Sequence, residues 1–498
     1  MYDFCIIGGG PIGITIANRL SLNNKKIVLI ESGSEKFPTT PYSQSLDYDS
    51  KQFKFHDQIM MLGGAGNFWE GRTGTMLDID FKKKEWLKES GWPINLSELD
   101  EFYEEAHNIM KLKNRYSYNS ELSDKYLNKK FDKNVLDLLV EDNFFIRGMQ
   151  YIDLEYKNFY FLINKKFELL LNHKVISLNE NNGKITSAKT SFEGISKEIK
   201  ADIFIMCSGA LENTRLLLNS NKLNENKFIG KYFQNHPCGL IGSVKLYKKF
   251  QKKFLILDRE NSKKDNVEFA INISEATLIK EKILNILFEL RHQKVSINEH
   301  IFLEENEIDN KKKFLKKIFK LISFKENFFS NIFIIIKGLK IYLKKFYYNL
   351  LNIKPYIHFF AKLEDVPDYE NELKLENNKI KIKYKYNKKI YDTTIFATNK
   401  IVNFFNKHNI GKCELSKYLL NENTIRDCFS NNLGNHPMGT TRISSNLEEG
   451  VVDKNLKFNN IDNLYVMGSS IFPTSGNTNP TFTSLALALR FVKFIVNK

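Results

Sequence analysis

The sequence predicts an α/β protein of at least two domains, and three observations support this class. The chain has 498 residues, which is too long for one small core and is typical of two or three domains. Hydrophobic residues make up 42% and charged residues 27%, as in globular rather than disordered proteins. Near the N-terminus a glycine-rich turn separates a short apolar run from a helical pattern, and a second apolar run follows. This order is typical of parallel strands joined by a helix.

The N-terminal glycines have the spacing of a dinucleotide-binding turn. After the apolar residues 4–7, Gly8, Gly10 and Gly13 form GxGxxG, with Pro11 at the start of the helical pattern. In this motif the first glycine permits a tight turn, and the second lets the backbone approach a pyrophosphate. The third allows the helix to pack closely on the strand. We therefore expect a pyrophosphate at the N-terminus of the helix.

A carboxylate follows the second predicted strand. The apolar run 27–30 ends at Glu31, eighteen positions after Gly13. A carboxylate at this place can accept hydrogen bonds from ribose hydroxyls. A glycine-rich turn without a ligand is the competing interpretation, but strand, turn, helix, strand and acid in register favour a dinucleotide. The motif does not separate FAD from NAD.

Further segments contain the small residues that let a backbone lie against a flat, bulky ligand. A second glycine-rich segment, residues 61–72, contains the candidates Gly63, Gly64, Asn67, Phe68 and Trp69. A hairpin pattern with its turn at 181–183 begins near Val175. A buried-strand pattern, 201–206, ends in the small residues Cys207 and Gly209.

The C-terminal region contains blocks of its own. Residues 436–440 read His-Pro-Met-Gly-Thr, and Gly468-Ser469 follows an apolar run. Residues 479–481 read Asn-Pro-Thr before a helical pattern, and residues 364–371 have the form E-x-x-P-x-x-x-N. Together with the N-terminal blocks, these blocks resemble those of the glucose–methanol–choline (GMC) oxidoreductases, flavoenzymes that oxidise alcohols. They follow one another along the chain in the family's order. The matching blocks cover 1–110, 170–240 and 355–498, whereas 111–165 and 250–354 show no resemblance.

The resemblance implies a Rossmann-like FAD-binding domain, assembled from separate stretches, and a second domain of a sheet and helices that forms the substrate wall. We expect the FAD-binding domain to comprise 1–110, 166–240 and 430–498, and the substrate domain 111–165 and 241–429, with the basic segment 311–354. The resemblance implies that FAD is bound by Gly8, Gly10, Pro11, Gly13, Glu31, Gly63, Gly64, Asn67, Phe68, Trp69, Val175, Cys207, Gly209, Gly468, Ser469, Asn479, Pro480 and Thr481. It also implies that His436 and Asn479 face the flavin where the alcohol binds.

Oxidation of a CH–OH group requires a hydride acceptor, which a flavin supplies, and a base for the hydroxyl proton. A neutral imidazole, with an unperturbed pKa of about 6.5, suits the base role expected of His436. The amide of Asn479 can donate to the alcohol oxygen, and capping of the following helix is its alternative role. We expect the substrate to be a sugar or polyol-like alcohol, with oxidase or dehydrogenase chemistry and the electron acceptor left open. The alternatives are a lyase or non-redox binding protein of the same family, and an NAD-dependent dehydrogenase.

The remaining histidines and two tryptophans give weaker signals. His236 lies in an Asn-His-Pro segment like that of His436, and we interpret it as structural because a histidine beside a turn proline usually is. The others lack a motif and are interpreted as structural or solvated: His56, His107, His173, His292, His300, His358 and His408. No histidine lies within 57–75, where some relatives attach the flavin covalently, so we expect non-covalent FAD and no metal site. Trp69 and Trp92 fit either stacking on a sugar or core packing.

The net charge of +16 is concentrated in one segment. Residues 311–354 contain twelve lysines and one acidic residue, which leaves only +5 for the rest of the chain. In 311–322 and 328–351 lysines alternate with Phe, Ile and Leu at helical spacing. Such helices fit a cap whose apolar faces pack inward and whose lysines face water, or a contact with an anionic membrane surface. Nucleic acid is not expected, since the segment has no arginine. Because Met1 leads almost directly into a strand, we expect a cytoplasmic protein. The membrane alternative would make this segment a peripheral contact on the inner face of the membrane.

Overall fold

The structure is a computed structural model. It describes residues 1–36, 48–49, 60–113, 127, 129, 131–258, 266–310, 312–316, 318, 328–377, 379–419, 422–430, 435–446 and 448–498. Strands in these ranges are, in chain order, β1 (Tyr2–Ile7), β2 (Ile27–Ile30), β3 (Tyr48–Asp49), β4 (Arg72–Thr73), β5 (Phe144–Tyr151), β6 (Glu168–Leu170), β7 (Lys174–Asn181), β8 (Lys184–Phe192), β9 (Ile195–Ile199), β10 (Ala201–Met206), β11 (Cys238–Leu246), β12 (Val267–Ile273), β13 (Ile286–Gln293), β14 (Tyr356–Leu363), β15 (Glu372–Glu376), β16 (Lys379–Lys383), β17 (Gly411–Leu415) and β18 (Leu464–Val466).

The α-helices in the same ranges connect and cover these strands. They are α1 (Pro11–Ser21), α2 (Asp78–Phe81), α3 (Asp100–Ile109), α4 (Lys133–Glu141), α5 (Gly209–Leu218), α6 (Glu275–Glu281), α7 (Ile297–Glu305), α8 (Phe328–Leu350), α9 (Lys388–Lys407), α10 (Glu422–Ser430) and α11 (Thr481–Val496). None of the helices described is long and apolar enough to cross a membrane.

A parallel sheet forms the centre of the first core. Its described strands have the order β18-β10-β1-β2-β6, and every neighbouring pair is parallel. The inner strands are apolar and buried because helices such as α1 and α11 cover the sheet, so both faces of each strand require apolar side chains. The first strand, glycine turn, helix and second strand stand where the sequence predicts them. The predicted α/β class is confirmed.

An antiparallel sheet forms the centre of a second core. Its described strands have the order β17-β11-β14-β13-β12-β5-β4. Strand β14 is buried at every residue, and the apolar side of α9, with Phe404 and Phe405, packs into the same core. The carboxyl ends of the parallel strands and the start of β11 both reach the cavity described below.

Two short segments pack differently from the predicted division of the chain. Phe159 and Tyr160, in the range predicted for the substrate domain, pack against the first core. Strand β4, in the range predicted for the FAD-binding domain, pairs with β5 of the antiparallel sheet. The predicted hairpin at 175–186 is confirmed by the pairing of β7 with β8, whose turn residues Asn182 and Gly183 have positive φ.

The basic segment agrees in part with the cap interpretation. The first predicted helix, 311–322, lies mostly outside the described residues, which include helical 312–316. In α8, apolar side chains such as Phe333 and Leu343 are 60% exposed, while Lys344 points inward to a carboxylate. The cap interpretation describes one side of α8, where Ile341 and Tyr342 pack inward, but it does not describe the exposed apolar side or the inward Lys344. The helix has apolar residues on both sides, and its periodicity does not show which side packs inward.

Candidate active site

A cavity of about 600 Å³ lies between the two sheets. Most of the predicted cofactor residues line it: Gly8, Gly10, Pro11, Glu31, Gly64, Phe68, Trp69, Val175, Cys207, Gly209, Gly468, Ser469, Asn479, Pro480 and Thr481. His436 lines it as well, whereas Gly13, Gly63 and Asn67 are outside its wall. Residues separated by hundreds of positions thus meet around one space of the size that binds a cofactor and a small ligand.

At the glycine turn, an added Cβ would have room at one position and would clash at two others. Gly8 has φ +110°, and a Cβ there would lie 2.8 Å from the backbone carbonyl of Cys207. A Cβ on Gly13 would lie 2.0 Å from the carbonyl oxygen of Gly8. A Cβ on Gly10 would meet no atom within 4 Å. Gly8 and Gly13 therefore serve packing, while Gly10 opens the backbone towards a ligand, as a bound pyrophosphate requires.

Backbone amides hold the carboxylate of Glu31 at the cavity wall. Gly9 N donates to Oε2 and Gly33 N donates to Oε1, both at 2.8 Å. Burial raises the pKa of Glu31, while these hydrogen bonds favour its ionised form. The side chain is thus fixed at the carboxyl end of β2, where the sequence places a ribose contact.

The second glycine-rich segment is hydrogen-bonded to the first. Gly63 N donates to the carbonyl of Gly9 at 2.7 Å, which joins the two glycine loops. Asn67 Nδ2 donates to the carbonyls of Leu62 and Gly64 at 2.8 and 3.0 Å. Gly63 and Asn67 therefore shape the loop, whereas the predicted contact with FAD at these two residues has no support in the cavity wall.

The two tryptophans lie in different environments. Trp69 lines the cavity and donates from Nε1 to the carbonyl of Lys157 at 2.9 Å. Trp92 is buried away from the cavity wall, donates to Thr474 Oγ1 at 2.9 Å and packs against Phe472. The core-packing interpretation is therefore the one that describes Trp92.

His173, interpreted from the sequence as structural or solvated, lines the cavity at the Glu31 end. Its backbone N donates to the carbonyl of Glu31 at 3.0 Å, and its ring stacks on Phe192. Its position directly before the hairpin at Val175 was the available signal. His56 lies outside the described residues.

His436 forms a pair with His236 at the cavity wall. The two Nδ1 atoms are 2.9 Å apart, and His236 Nε2 is 3.0 Å from the carbonyl oxygen of Gly476. A carbonyl only accepts, so Nε2 of His236 carries the proton and its Nδ1 is the acceptor. His436 therefore donates from Nδ1, and its Nε2 keeps the lone pair. His236 itself lies outside the cavity wall, so it positions His436 and selects its tautomer rather than facing a ligand.

Both histidines are held in the neutral form. Burial lowers the pKa of His436 well below its usual value, and the positive charges near it, including Lys362 and Arg72, lower it further. Burial likewise lowers the pKa of His236, and Lys362 again contributes. Neutrality of both rings is the condition under which the tautomers above apply.

An Asn–Asp pair positions the two histidines. Asn235 Oδ1 accepts from the backbone N of His236 at 2.8 Å and from that of His436 at 2.9 Å. Asp365 Oδ2 accepts from Asn235 N at 2.9 Å. Asp365 belongs to the E-x-x-P-x-x-x-N segment, in which Glu364 forms a buried ion pair with Lys84. This segment, which directly follows β14, thus connects the antiparallel sheet to the histidines.

Asn479 is held by two contacts that fix its amide. Its Oδ1 accepts from Lys362 Nζ at 2.5 Å, and its Nδ2 donates to the carbonyl of Arg72 at 3.0 Å. Helix α11 begins with no side-chain capping bond, so the helix-capping role of Asn479 is not what the structure shows. The second hydrogen of Nδ2 remains as a donor for a ligand.

Lys362 is a cavity residue that sequence reasoning missed. It lies in β14, is buried, and lines the cavity beside Asn479. Burial and the positive charge of Arg72 lower its pKa to about 7. The available signal was a lysine inside an otherwise apolar and buried strand, since lysine is seldom buried without a reason.

Charged residues of the antiparallel sheet line the cavity. Arg72 forms ion pairs with Glu268 and Glu289. Arg291 pairs with Glu289 at 2.8 Å and lies 3.6 Å above the ring of Phe360. This part of the wall can donate and accept several hydrogen bonds to a polar ligand.

Comparison with known proteins gives matches in sequence and in structure. Residues 367–488 match the sequence model of the GMC oxidoreductase family. A stretch of 65 residues is 40% identical to pyranose 2-oxidase of Tricholoma matsutake, and it spans 13% of this chain and 12% of that relative.

Solved structures match over the full length of the chain. Pyridoxine 4-oxidase from Mesorbium loti has a TM-score of 0.59 at 14% identity and is covered completely by the whole chain. An FAD-dependent oxidoreductase from Chaetomium thermophilum has a TM-score of 0.58 at 12% identity, with 100% of this chain and 99% of that chain covered. A fungal aryl-alcohol oxidase has a TM-score of 0.55 at 12% identity, with the same coverage. Identities this low show the fold alone. The resemblance seen in the sequence is confirmed: residues 367–488 match the GMC oxidoreductase family model, and the whole chain shares the fold of these solved structures.

Proposed function

We propose that this protein uses FAD to oxidise a CH–OH group to a carbonyl, with His436 as the base. The observation behind the proposal is the His436–His236 pair, which presents a neutral imidazole with a known tautomer at a cavity wall. The relatives and solved structures reported above are oxidases or oxidoreductases, so a lyase or a non-redox binding protein is not favoured.

The residues at the cavity fit a flavin dinucleotide. Gly10 and Gly468 both line the cavity, and a Cβ on either would meet no protein atom within 4 Å. They leave a cradle at the N-terminus of α1 and after β18, where backbone N–H groups favour a pyrophosphate. Glu31 is placed to accept from the ribose. FAD, when bound, supplies the acceptor for the substrate hydride.

The protein's own part of the reaction is to orient the alcohol and remove its proton. Nε2 of His436 accepts the hydroxyl proton, while His236 keeps Nδ1 of His436 protonated and the ring in place. The free hydrogen of Asn479 Nδ2 donates to the alcohol oxygen and supports the charge that develops there. Lys362 and the Arg72 carbonyl prevent the amide from turning over.

We propose a polyhydroxylated substrate such as a sugar or polyol. Arg291, Glu289 and Lys362 give the substrate wall several charged hydrogen-bonding groups. Hydroxyl groups of a ligand can add hydrogen bonds to these groups, whereas an apolar ligand would cover them without adding any, which costs binding energy. Phe360 adds an apolar surface against which the face of a sugar ring can pack.

The proposal predicts that the purified yellow protein loses flavin absorbance when mixed anaerobically with its alcohol substrate. A panel of sugars, polyols and aromatic alcohols should include a compound that bleaches the absorbance and yields the matching carbonyl product. The His436→Ala variant serves as the control, because it retains the cavity but lacks the base. Bleaching by the variant at the rate of the parent protein would contradict the role of His436.

Replacement of Lys362 with methionine should change the pH profile of turnover. The folded-state pKa of Lys362 is lowered to about 7, so its positive charge is present below pH 7 and absent above it. Loss of this charge makes His436 more basic, and we expect kcat to rise by about tenfold as pH increases through 7. Lys362→Met should remove this rise.

Asp365 is the control for that profile, because burial raises its pKa to about 7 as well. Its ionisation would also favour a protonated His436. A rise that persists in Lys362→Met and disappears in Asp365→Asn would assign the titration to Asp365 and contradict the role of Lys362.

The flavin should be released by denaturation. The residue before Trp69 is Phe68, which has no nucleophilic atom for a covalent bond, and His173 lies at the Glu31 end of the cavity. Acid precipitation is expected to leave the yellow colour in the supernatant. Colour in the washed pellet would show a covalent flavin.

A further inference from the structure

One helix face outside the cavity wall is apolar and exposed. Among the residues described, 22 large hydrophobic side chains are exposed, and nine lie between positions 332 and 351. These nine, here called the outer stripe, are Ile332, Phe333, Ile336, Leu339, Leu343, Phe346, Tyr347, Leu350 and Leu351. Scattered exposed hydrophobic residues are ordinary, whereas a continuous group on one element marks a contact surface.

The outer stripe has helical spacing along α8. Steps of four and three residues connect Ile332, Ile336, Leu339, Leu343, Phe346 and Leu350 in turn. Residues with these steps lie on one side of a helix. From Ile332 to Leu350 the stripe extends for about 27 Å, at 1.5 Å per residue. It is therefore a ridge long enough to contact an extended surface.

The opposite side of α8 is attached to the protein. Tyr342 stacks on Phe314, with ring centroids 4.7 Å apart. Lys344 Nζ donates to the Glu299 carboxylate at 2.7 Å and to the Tyr356 hydroxyl at 2.8 Å. Rotation that buries the outer stripe would break these contacts, so the stripe faces outward as a fixed feature of the fold.

The charges of α8 indicate which kind of surface the stripe contacts. The helix has four lysines and no acidic residue. Lys340 is exposed within the stripe, and Lys312 and Lys316 are exposed on the helical residues around Phe314. Two copies of the chain paired through this face would bring lysines against lysines. An anionic bilayer instead offers acyl chains to the apolar residues and negative headgroups to the lysines.

We propose that the outer stripe binds the surface of an anionic phospholipid bilayer, with α8 parallel to the membrane plane. Side chains such as Phe333, Leu343 and Phe346 enter the boundary between headgroups and acyl chains, and Lys340 contacts the headgroups. This inference concerns where the enzyme acts and is independent of the proposed reaction.

Flotation of the full-length holoprotein with vesicles tests the proposal. Vesicles of phosphatidylcholine with roughly one quarter phosphatidylserine should carry the protein upward, and vesicles of phosphatidylcholine alone should not. The double variant Ile336→Glu/Leu343→Glu should bind the anionic vesicles about tenfold more weakly, because it places two carboxylates in the stripe. Lys340→Glu should weaken binding in the same direction.

A matched control comes from Ile195, which is 70% exposed on β9. Ile195→Glu makes the same kind of change outside α8 and should leave flotation unchanged. Near-ultraviolet circular dichroism and flavin absorbance confirm that each variant is folded.

Three outcomes would overturn the proposal. The first is a parent protein that does not float with either vesicle, and the second is equal flotation with both. The third is a dimer in light scattering that becomes monomeric in Ile336→Glu/Leu343→Glu without any change in vesicle binding, which would assign the stripe to a second copy.

Discussion

Replacement of His436 with alanine is expected to lower kcat by about 10²- to 10⁴-fold, the range for loss of a general base. The flavin should remain bound, because we propose that the glycine turn and Glu31, which also line the cavity, hold the dinucleotide. The reductive half-reaction, followed anaerobically in a stopped-flow instrument, measures the loss directly. The ratio of flavin to protein absorbance shows that the cofactor is retained.

His236→Leu is the companion variant for this prediction. It removes the acceptor of the His436 Nδ1 proton and leaves the base itself in place. We expect a smaller loss of kcat than in His436→Ala, because His436 can then adopt either tautomer and a less defined orientation. An unchanged kcat in His436→Ala, with substrate oxidation intact, would contradict the proposed mechanism. A normal kcat in His236→Leu alone would contradict only the role of His236 in selecting the tautomer.

The low pKa of both histidines also has a consequence for the pH dependence. A base whose pKa lies well below 6.5 is already deprotonated in neutral solution, so its own protonation does not limit turnover there. Any change of rate near pH 7 then arises from another group, and Lys362 and Asp365 are two buried groups near the site whose pKa is about 7.

Sequence reasoning predicts the parts of this site whose residues lie together in one continuous motif. The GxGxxG turn, the carboxylate after β2 and the Asn-Pro-Thr block each combine local backbone needs with a fixed spacing, so a single segment reveals them. The fold class follows from the same segments, because a strand, a turn and a helix in register permit few arrangements.

The features that sequence reasoning missed depend on contacts between distant segments. His236 and His436 are 200 positions apart, and only the folded chain shows their Nδ1 atoms facing each other. Lys362 gains its altered pKa from burial beside Arg72, which its own segment does not indicate. The side of α8 that packs inward is a third example. A helix with apolar residues on both sides has no periodicity that shows which side is buried.

Replacement of Gly10 with valine should separate flavin binding from folding. A Cβ at this position would meet no atom within 4 Å apart from its chain neighbours, and the backbone there has φ −79°, which valine can adopt. The protein is therefore expected to fold with an unchanged free energy of unfolding in the absence of FAD. The added carbons instead occupy the cavity where the pyrophosphate approaches the backbone. We expect FAD affinity to fall by about 100-fold, or ~2.7 kcal/mol.

Gly13→Ala is the contrasting variant, since its Cβ would lie 2.0 Å from the Gly8 carbonyl oxygen and must displace the helix or the turn. This variant should lose stability by about 1–3 kcal/mol, the usual range for overpacking, even before FAD is added. Fluorescence titration with FAD and thermal unfolding of the FAD-free proteins measure the two effects separately. Normal FAD affinity in a folded Gly10→Val protein would place the dinucleotide elsewhere and remove the basis for the assigned cradle. Loss of affinity with retained stability would show that the open space beside Gly10 is the pyrophosphate site, because there the added side chain has only the ligand to displace.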